Sequence, residues 1–350
     1  MIEPWTLVTG ASGFVGSRLV RALVERGERV KGFVRAGSSL KQLEGLPEDR
    51  FQLAFGDITA MHTVYRALSR CDRMYHVASN FKMWDSNPDN ILKPAIEGTR
   101  ATLEAAKKRK LSKVVVTSST AALGSEPKPE PMDETHEFNL KDPETYIRSK
   151  HEAEQVAHEF AAEGLPVVMV LPSGIVGPGD WKPTPTGASI VQYLKLSPAM
   201  RAPVTEGGLN FVDVDDVVQG HMLAMDKGTV GERYVLGGDN VTFEQMFATL
   251  SALTGLAPPM RIGQGWVSLA AALMELNANL GGGNPTVTRR MARDFAFSYV
   301  FVTSEKAENE LGYTHRPARE ALARSVRWYL EKGYVPDKAA RRVRLELRQA

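Results

Sequence analysis

Tyr146-Ile147-Arg148-Ser149-Lys150, at the start of a strongly helical stretch, sets a phenol and an ammonium four residues apart. Residues at that spacing share one face of a helix, so Lys150 can lie beside the Tyr146 hydroxyl. A neighbouring cation stabilises a phenolate and lowers a tyrosine pKa from about 10 towards the working range of a general acid or base. The pattern alone arises by chance in many helices. It gains weight from Thr117-Ser118-Ser119-Thr120, which ends a valine-rich strand run. A hydroxyl at that end can hold a substrate oxygen. Ser119 is the candidate, with Ser118 and Thr120 as alternatives that spacing leaves open.

A second constellation could hold a dinucleotide. Thr9-Gly10-Ala11-Ser12-Gly13-Phe14-Val15-Gly16 lies between a strand-like run and an amphipathic helix. Gly10 permits the tight turn, Gly13 lets amides approach a pyrophosphate, and Gly16 lets helix and strand pack closely. The contact set expected there is Gly10, Ser12, Gly13, Phe14, Val15 and Gly16. The second strand, Val30-Lys31-Gly32-Phe33-Val34-Arg35, has no Asp or Glu at its end to grip a ribose 2′-hydroxyl. Arg35 stands there instead, and a guanidinium pairs with a 2′-phosphate. Ser38, Ser39 and Lys41 follow as further donors, so the expected cofactor is NADP(H). Asp57, followed by Ile58 after the third strand, can accept from an adenine amino group or can simply form a turn. Val77-Ala78-Ser79, after the fourth strand, offer small side chains that let backbone lie against the cofactor. His76 reads as a packed residue more readily than as a catalyst.

The elements that must position these groups alternate. Strand runs at Trp5–Thr9, Arg29–Val34, Phe51–Phe55, Arg73–Val77, Lys113–Ser118 and Val167–Leu171 are interleaved with helical runs at Phe14–Glu25, Ala60–Leu68, Ile91–Arg109 and Glu144–Glu163. Such alternation predicts an α/β fold, a doubly wound parallel sheet with helices on both faces. After Pro172 the regularity fails in a Pro/Gly-rich stretch. Residues 1–171 are therefore expected to form the dinucleotide-binding domain, with return segments near 210–236 (strand runs Asn210–Val214 and Tyr234–Leu236). Residues 172–336 are expected to form mainly a smaller substrate-binding domain. The Gly281–Gly283 run reads as a loop tip, and 337–350 as a basic, solvated tail.

Composition narrows the partners. With 43 Lys+Arg against 41 Asp+Glu in 350 residues, no field favours nucleic acid or acidic membranes. The single cysteine, Cys71, excludes an internal disulfide and a thiolate metal cage, fits a reducing cytoplasm, and reads as a small buried apolar residue. No metal site, signal peptide or membrane span is expected. A small-molecule substrate is the default. The apolar run GWVSLAAALMELNANL (265–280), with Phe81, Met83 and Trp84, points to an apolar or aromatic one, unless these residues only pack the small domain.

Together TGASGFVG, GDI, HVAS, TSS, YIRSK and PSGIVGP resemble the extended short-chain dehydrogenase/reductase superfamily over nearly the whole chain. The segments VRAGSS, HVASNFKMW, DWKPTPTG, LNFVDVDDVVQGH and ERYVLGGDNVTFEQM look most like its dihydroflavonol reductase-like branch, particularly the bacterial group labelled hopanoid-associated sugar epimerases. The resemblance implies a Ser119–Tyr146–Lys150 catalytic triad, a contact from Lys150 to the nicotinamide ribose, Pro172-Ser173 flanking the nicotinamide, and a homodimer through helices 91–109 and 144–163. Two departures stand out. Ala95 occupies a place where the family usually carries Asn. Leu209-Asn210 stands where similar sugar-nucleotide epimerases usually have Arg-Asp, which favours a less charged carbonyl substrate.

Three functions compete. The first is reduction of a ketone or aldehyde, with Tyr146 as proton donor and Ser119 polarising the oxygen. The second is epimerisation or dehydration with a cofactor that never leaves. The third is a non-catalytic NADP-binding module, disfavoured because both Tyr146 and Lys150 are present.

Overall fold

The computed structural model describes residues 4–79, 85–197, 200–279 and 289–343. The first part of the chain runs β1 (Trp5–Thr9), α1 (Phe14–Glu25), β2 (Arg29–Val34), β3 (Phe51–Phe55), α2 (Met61–Ala67), β4 (Cys71–His76), α3 (Asp89–Arg109), β5 (Lys113–Thr117), α4 (Thr145–Ala162) and β6 (Val167–Pro172). There follow β7 (Gly174–Val176), α5 (Pro185–Lys195), β8 (Pro203–Val204), β9 (Gly208–Asp213), α6 (Val214–Lys227), β10 (Arg233–Leu236), β11 (Asp239–Thr242), α7 (Phe243–Thr254) and β12 (Met260–Arg261). The last are α8 (Gln264–Asn279), α9 (Arg289–Met291), β13 (Tyr299–Val300), α10 (Glu305–Leu311), α11 (Ala318–Glu331) and α12 (Asp337–Ala340).

Seven parallel strands make the main sheet in the order β10-β6-β5-β4-β1-β2-β3. Side chains alternate across a strand, and both faces here are apolar. Val114, Val116, Val167, Met169 and Leu171 join the core beneath α2, α3 and α4. Val115, Val168 and Val170 join the opposite core beneath α1, α6 and α10. Each of these valines is shielded almost completely, which contributes about 1.5–3 kcal/mol apiece.

The strand order reverses between β1 and β4, so their carboxyl ends diverge and leave a crevice. The glycine turn follows β1 and Val77–Ser79 follow β4. Both therefore open into that crevice.

A second sheet is built around β9, which pairs with β11 antiparallel, with β13 at its start and with β7 at its end. The segment near 210 thus joins this second sheet, while β10 returns to the first. In this second sheet the fully buried Asn210 amide finds its partners at Gly238 and at Asn240 of β11. A third core, beneath α5, α7 and α11, supports this part.

Candidate active site

At the nucleotide end, each glycine has a distinct geometric reason. Gly10 has φ +66°, and a Cβ there would lie 2.7 Å from Ala78 Cα. A Cβ at residue 16 would lie 2.2 Å from the Gly10 carbonyl oxygen, so α1 and β1 pack as closely as glycine allows. At Gly13 a Cβ would meet only the Gly10 oxygen, at 3.1 Å. Gly13 also caps α1 without any side-chain bond to the first amides, and no acidic residue stands in the first turn. An uncapped helix N-terminus of this kind, with open space before it, fits a pyrophosphate. Ser12, Phe14 and Val15 are partly exposed around it.

The ends of β1 and β4 are tied through one hydroxyl. Thr9 Oγ1 accepts from the amides of Val77 and Ala78, at 3.1 Å each, and lies 2.9 Å from His76 Nδ1. Its one proton must therefore go to Nδ1, leaving the proton of the neutral ring on Nε2, 3.4 Å from Thr99 Oγ1. Thr99 in turn donates to the Ala95 carbonyl over 2.7 Å. Burial, with the Lys150 charge adding, pushes His76 down to about 4. His76 is thus a packed structural residue. The Ala95 position contributes its backbone carbonyl as the end of this chain of hydrogen bonds.

The adenosine end is open. Arg35 and Asp57 are exposed at the ends of β2 and β3, and the Arg35 charge helps to lower the Asp57 carboxyl below its usual range. The larger cause is Thr59, whose amide and hydroxyl both donate to Asp57 Oδ1, at 2.9 and 2.8 Å. That carboxylate closes a turn and leaves its second oxygen outward. Ile58 is partly buried beside it, and Lys41 is exposed in a short helical turn, Lys41–Leu43. Arg21 of α1 anchors this turn by donating to the Gln42 and Glu44 carbonyls, each over 2.8 Å.

At the chemical end the structure separates the three hydroxyls that spacing left open. Ser118 is buried and donates to Glu154, and Thr120 is buried in the turn that follows. Ser119 is partly exposed and lies near enough to the Tyr146 phenol to pull its pKa down. Its Oγ also accepts from the Ala121 amide at 3.2 Å, which fixes the rotamer. Lys150 Nζ donates to Ser79 Oγ over 2.9 Å and lies 5.9 Å from the Tyr146 ring centroid.

The electrostatics correct one expectation. Tyr146 is raised, not lowered: burial dominates, the Ser119 bond opposes it, and the Glu144 charge adds to it. Burial also brings Lys150 down to about 8, against the upward pull of Glu154. Lys150 is not among the causes of the Tyr146 shift, its Nζ being bonded to Ser79 Oγ and 5.9 Å from the ring centroid.

Pro172 is buried at the end of β6, one strand beyond Ser119, and Ser173 donates to Asn210 Oδ1 over 2.7 Å. Asn210 also accepts from the Gly238 amide and donates to the Gly238 and Asn240 side, fixing the wall of the crevice. Leu209 packs between the first and third cores. The motifs give no role to Glu144, Glu154 or Asp294, which are buried polar groups on or near the cleft, and mark Asn210 only as a departure from related sequences. The helix start at Glu144 was the single usable signal. Cys71 is half-buried, its thiol raised to about 11 by burial. Phe81, Met83, Trp84, Gly281–Gly283 and the tail beyond 343 lie outside the described residues.

Residues 6–237 match the NAD dependent epimerase/dehydratase family. The chain is 36% identical over 335 residues to a putative dihydroflavonol 4-reductase of Synechocystis sp., covering 94% of this chain and 95% of that one. It is 33% identical over 344 residues to sterol demethylase protein B of Methylococcus capsulatus, covering 94% and 99%. The crystal structure of gox2253 superposes with a TM-score of 0.83 at 37% identity, covering 95% of this chain and all of that one. With a nucleotide crevice, a Ser/Tyr/Lys cluster at its mouth and these relatives, the chain belongs to the NAD dependent epimerase/dehydratase family of extended short-chain oxidoreductases, on its dihydroflavonol reductase-like branch.

Proposed function

We propose that the protein is an NADP(H)-dependent reductase of a ketone or aldehyde carried on an apolar or aromatic substrate. The observation that carries this reading is Lys150 reaching from Ser79 on the cofactor wall to 5.9 Å from the Tyr146 ring, with the Ser119 hydroxyl fixed just beyond β5 and close enough to Tyr146 to lower its pKa. Gly10, Ser12, Gly13, Phe14, Val15 and Gly16 would hold the pyrophosphate. Val77, Ala78, Ser79, Pro172 and Ser173 would flank the nicotinamide end, and Arg35, Lys41, Asp57 and Ile58 the adenosine end. The bound dinucleotide supplies the hydride. Ser119 donates to the carbonyl oxygen and orients it, and Tyr146 gives that oxygen its proton as charge develops there. Lys150 stabilises the resulting phenolate and holds the ribose.

Two features favour an apolar substrate. Leu209 stands in packed core where related sugar-nucleotide enzymes place a phosphate-binding Arg. On α8, Trp266, Leu269 and Leu273 share one face and are 75%, 52% and 58% exposed, so they do not merely pack the small lobe.

The test is a panel of ketones, aldehydes and nucleotide sugars, followed for NADPH consumption and for epimerised product. NADPH consumption with an aryl or alkyl carbonyl supports the reading. Epimerised sugar, with a dinucleotide retained through purification, overturns it in favour of an epimerase. Tyr146→Phe should bind NADPH as the wild type does and lose about 10²–10⁴-fold in turnover. Undiminished turnover would remove Tyr146 as proton donor. A homodimer through α3 and α4 would have to accommodate the ion pairs Arg100–Glu159 and Lys107–Glu163, and light scattering at micromolar concentration decides it.

A further inference from the structure

Immediately before Tyr146, two buried carboxylates meet. Glu144 is 3% exposed and caps α4, its Oε2 accepting from the Tyr146 amide over 2.7 Å. Its own amide donates to Asp294 Oδ2 over 2.8 Å, and Asp294 is 1% exposed. Asp294 lies in the helical turn Ala292–Ala296, which leads from α9 to β13 and so belongs to the second lobe. Arg293 holds Asp294 at 2.5 Å and also reaches the Asp142 carbonyl, while Arg290 pairs with Asp142 at 2.9 Å. The loop that delivers Tyr146 is therefore clasped by the second lobe through charged groups on both sides.

We propose that Glu144 is a positioning residue for the proton-transfer step, fixing the Tyr146 backbone through its cap and setting by its own charge how readily the Tyr146 hydroxyl ionises. This rests on the reading of Tyr146 as proton donor. A cap alone could be a neutral Asn or Ser at no electrostatic cost; a glutamate buried next to a second carboxylate is an expensive way to close a helix. Burial, with Asp294 adding and the amides of Tyr146 and Thr145 opposing, pushes Glu144 up to about 7. Among the described residues the charges around it are Asp142, Arg290, Arg293 and Asp294, with Tyr146 and then Lys150 along α4. Asp294 disfavours its anion, and Arg290 favours it.

The consequence follows by sign. Giving up its proton leaves Tyr146 as a phenolate, and a Glu144 anion two residues away opposes that charge. Below about pH 7 Glu144 is protonated and the opposition is absent; above it the opposition grows. Delivery of a proton to a carbonyl oxygen is thereby favoured on the acid side of neutrality. The proton returns to the phenolate from solvent after product leaves.

The test uses phenolate absorbance of the full chain with NADP⁺ added. The difference between wild type and Tyr146→Phe isolates Tyr146, and the same difference is taken in the Glu144→Gln background. Gln keeps the cap acceptor and removes the charge, so the Tyr146 midpoint should fall by about one pH unit. Glu144→Asp keeps the charge on a shorter arm, so its midpoint should stay near that of the wild type; Glu144→Asn, a neutral cap with the same expected fall, serves if the Gln variant does not fold. An unchanged midpoint in Glu144→Gln, or an equal fall in Glu144→Asp, overturns the proposal and leaves Glu144 a cap. Failure of the proton-donor reading is separate: it would appear as full turnover of a carbonyl substrate by Tyr146→Phe, whatever the titration gives.

Discussion

Lys150 Nζ donates to Ser79 Oγ over 2.9 Å, so the cation of the Tyr-x-x-x-Lys pair is anchored at the end of β4 and reaches back towards the Tyr146 ring at 5.9 Å. One residue thus spans the crevice from the cofactor wall to the phenol. Because burial brings Lys150 down to about 8, it loses its charge as pH rises through that value in the unliganded protein. NADPH affinity, read by fluorescence titration, should therefore decline above about pH 8, where a ribose-binding ammonium becomes an amine. Lys150→Met should bind NADPH about tenfold more weakly at neutral pH and show no such decline. A Lys150→Met variant with the wild-type pH profile would assign the decline to another group.

Cofactor preference should turn on Arg35. It is exposed at the end of β2, and the neighbouring carboxylate, Asp57, is already occupied on one oxygen by Thr59. A charge-assisted bond to a 2′-phosphate is worth about 1.5–3 kcal/mol, so Arg35→Ala should lose about tenfold to a hundredfold in NADPH affinity and little in NADH affinity. Equal binding of NADH and NADPH by the wild type would overturn the NADP assignment.

What could be read from the chain and what could not divide along a physical line. Strand and helix runs of the main sheet were legible because β5 and β6 are continuous valine-rich runs buried on both faces, a pattern that needs no partner to be recognised. The glycine turn was legible because φ +66° at Gly10 and contact of α1 with β1 at Gly16 each exclude a side chain. The membership of β9 was not, since the choice between two sheets depends on where the Asn210 amide finds partners at Gly238 and Asn240, far along the chain. Nor was the direction of the Tyr146 shift. Spacing announced a helpful lysine, but burial and Glu144 oppose it, and burial is a property of the folded whole.

Asn210 should matter to both stability and turnover. It is wholly buried and joins Ser173, Gly238 and Asn240. Asn210→Ala strands several of those partners, at about 1–3 kcal/mol for each left unsatisfied. Melting temperature should fall, and turnover should fall further than NADPH affinity because Ser173 loses its anchor at the crevice wall. A variant that melts with the wild type and reduces substrate normally would show that the wall is fixed by β6 and β7 alone.

Acid stability provides the last prediction, and His221 on α6 is the residue that isolates it. Its Nδ1–H donates to the Val217 carbonyl over 2.7 Å and its Nε2 accepts from Thr117 at 2.8 Å, which pins α6 to the end of β5, two residues before Ser119. Both nitrogens are used by a neutral ring, and burial pushes the group down to about 4 from an ordinary 6.5. The unfolded chain takes up a proton as pH falls through 6.5 while the folded one does not. The contribution of His221 is therefore complete above that pH and is lost towards about 4, a swing of roughly 3 kcal/mol. Glu144, raised to about 7, and Asp213 and Asp216, raised to about 6, act in the opposite sense, since protonation favours the fold in that window. The wild-type profile alone therefore mixes the two effects. Comparison with His221→Gln, which removes the titrating ring and can still accept from Thr117, separates them. In urea unfolding the variant should be the less stable at about pH 7.5, and the gap should narrow by roughly 3 kcal/mol by about pH 4. A gap that stays constant across that range would mean that His221 takes up its proton in the folded protein at the same pH as in the unfolded chain, and would overturn the neutral, buried ring.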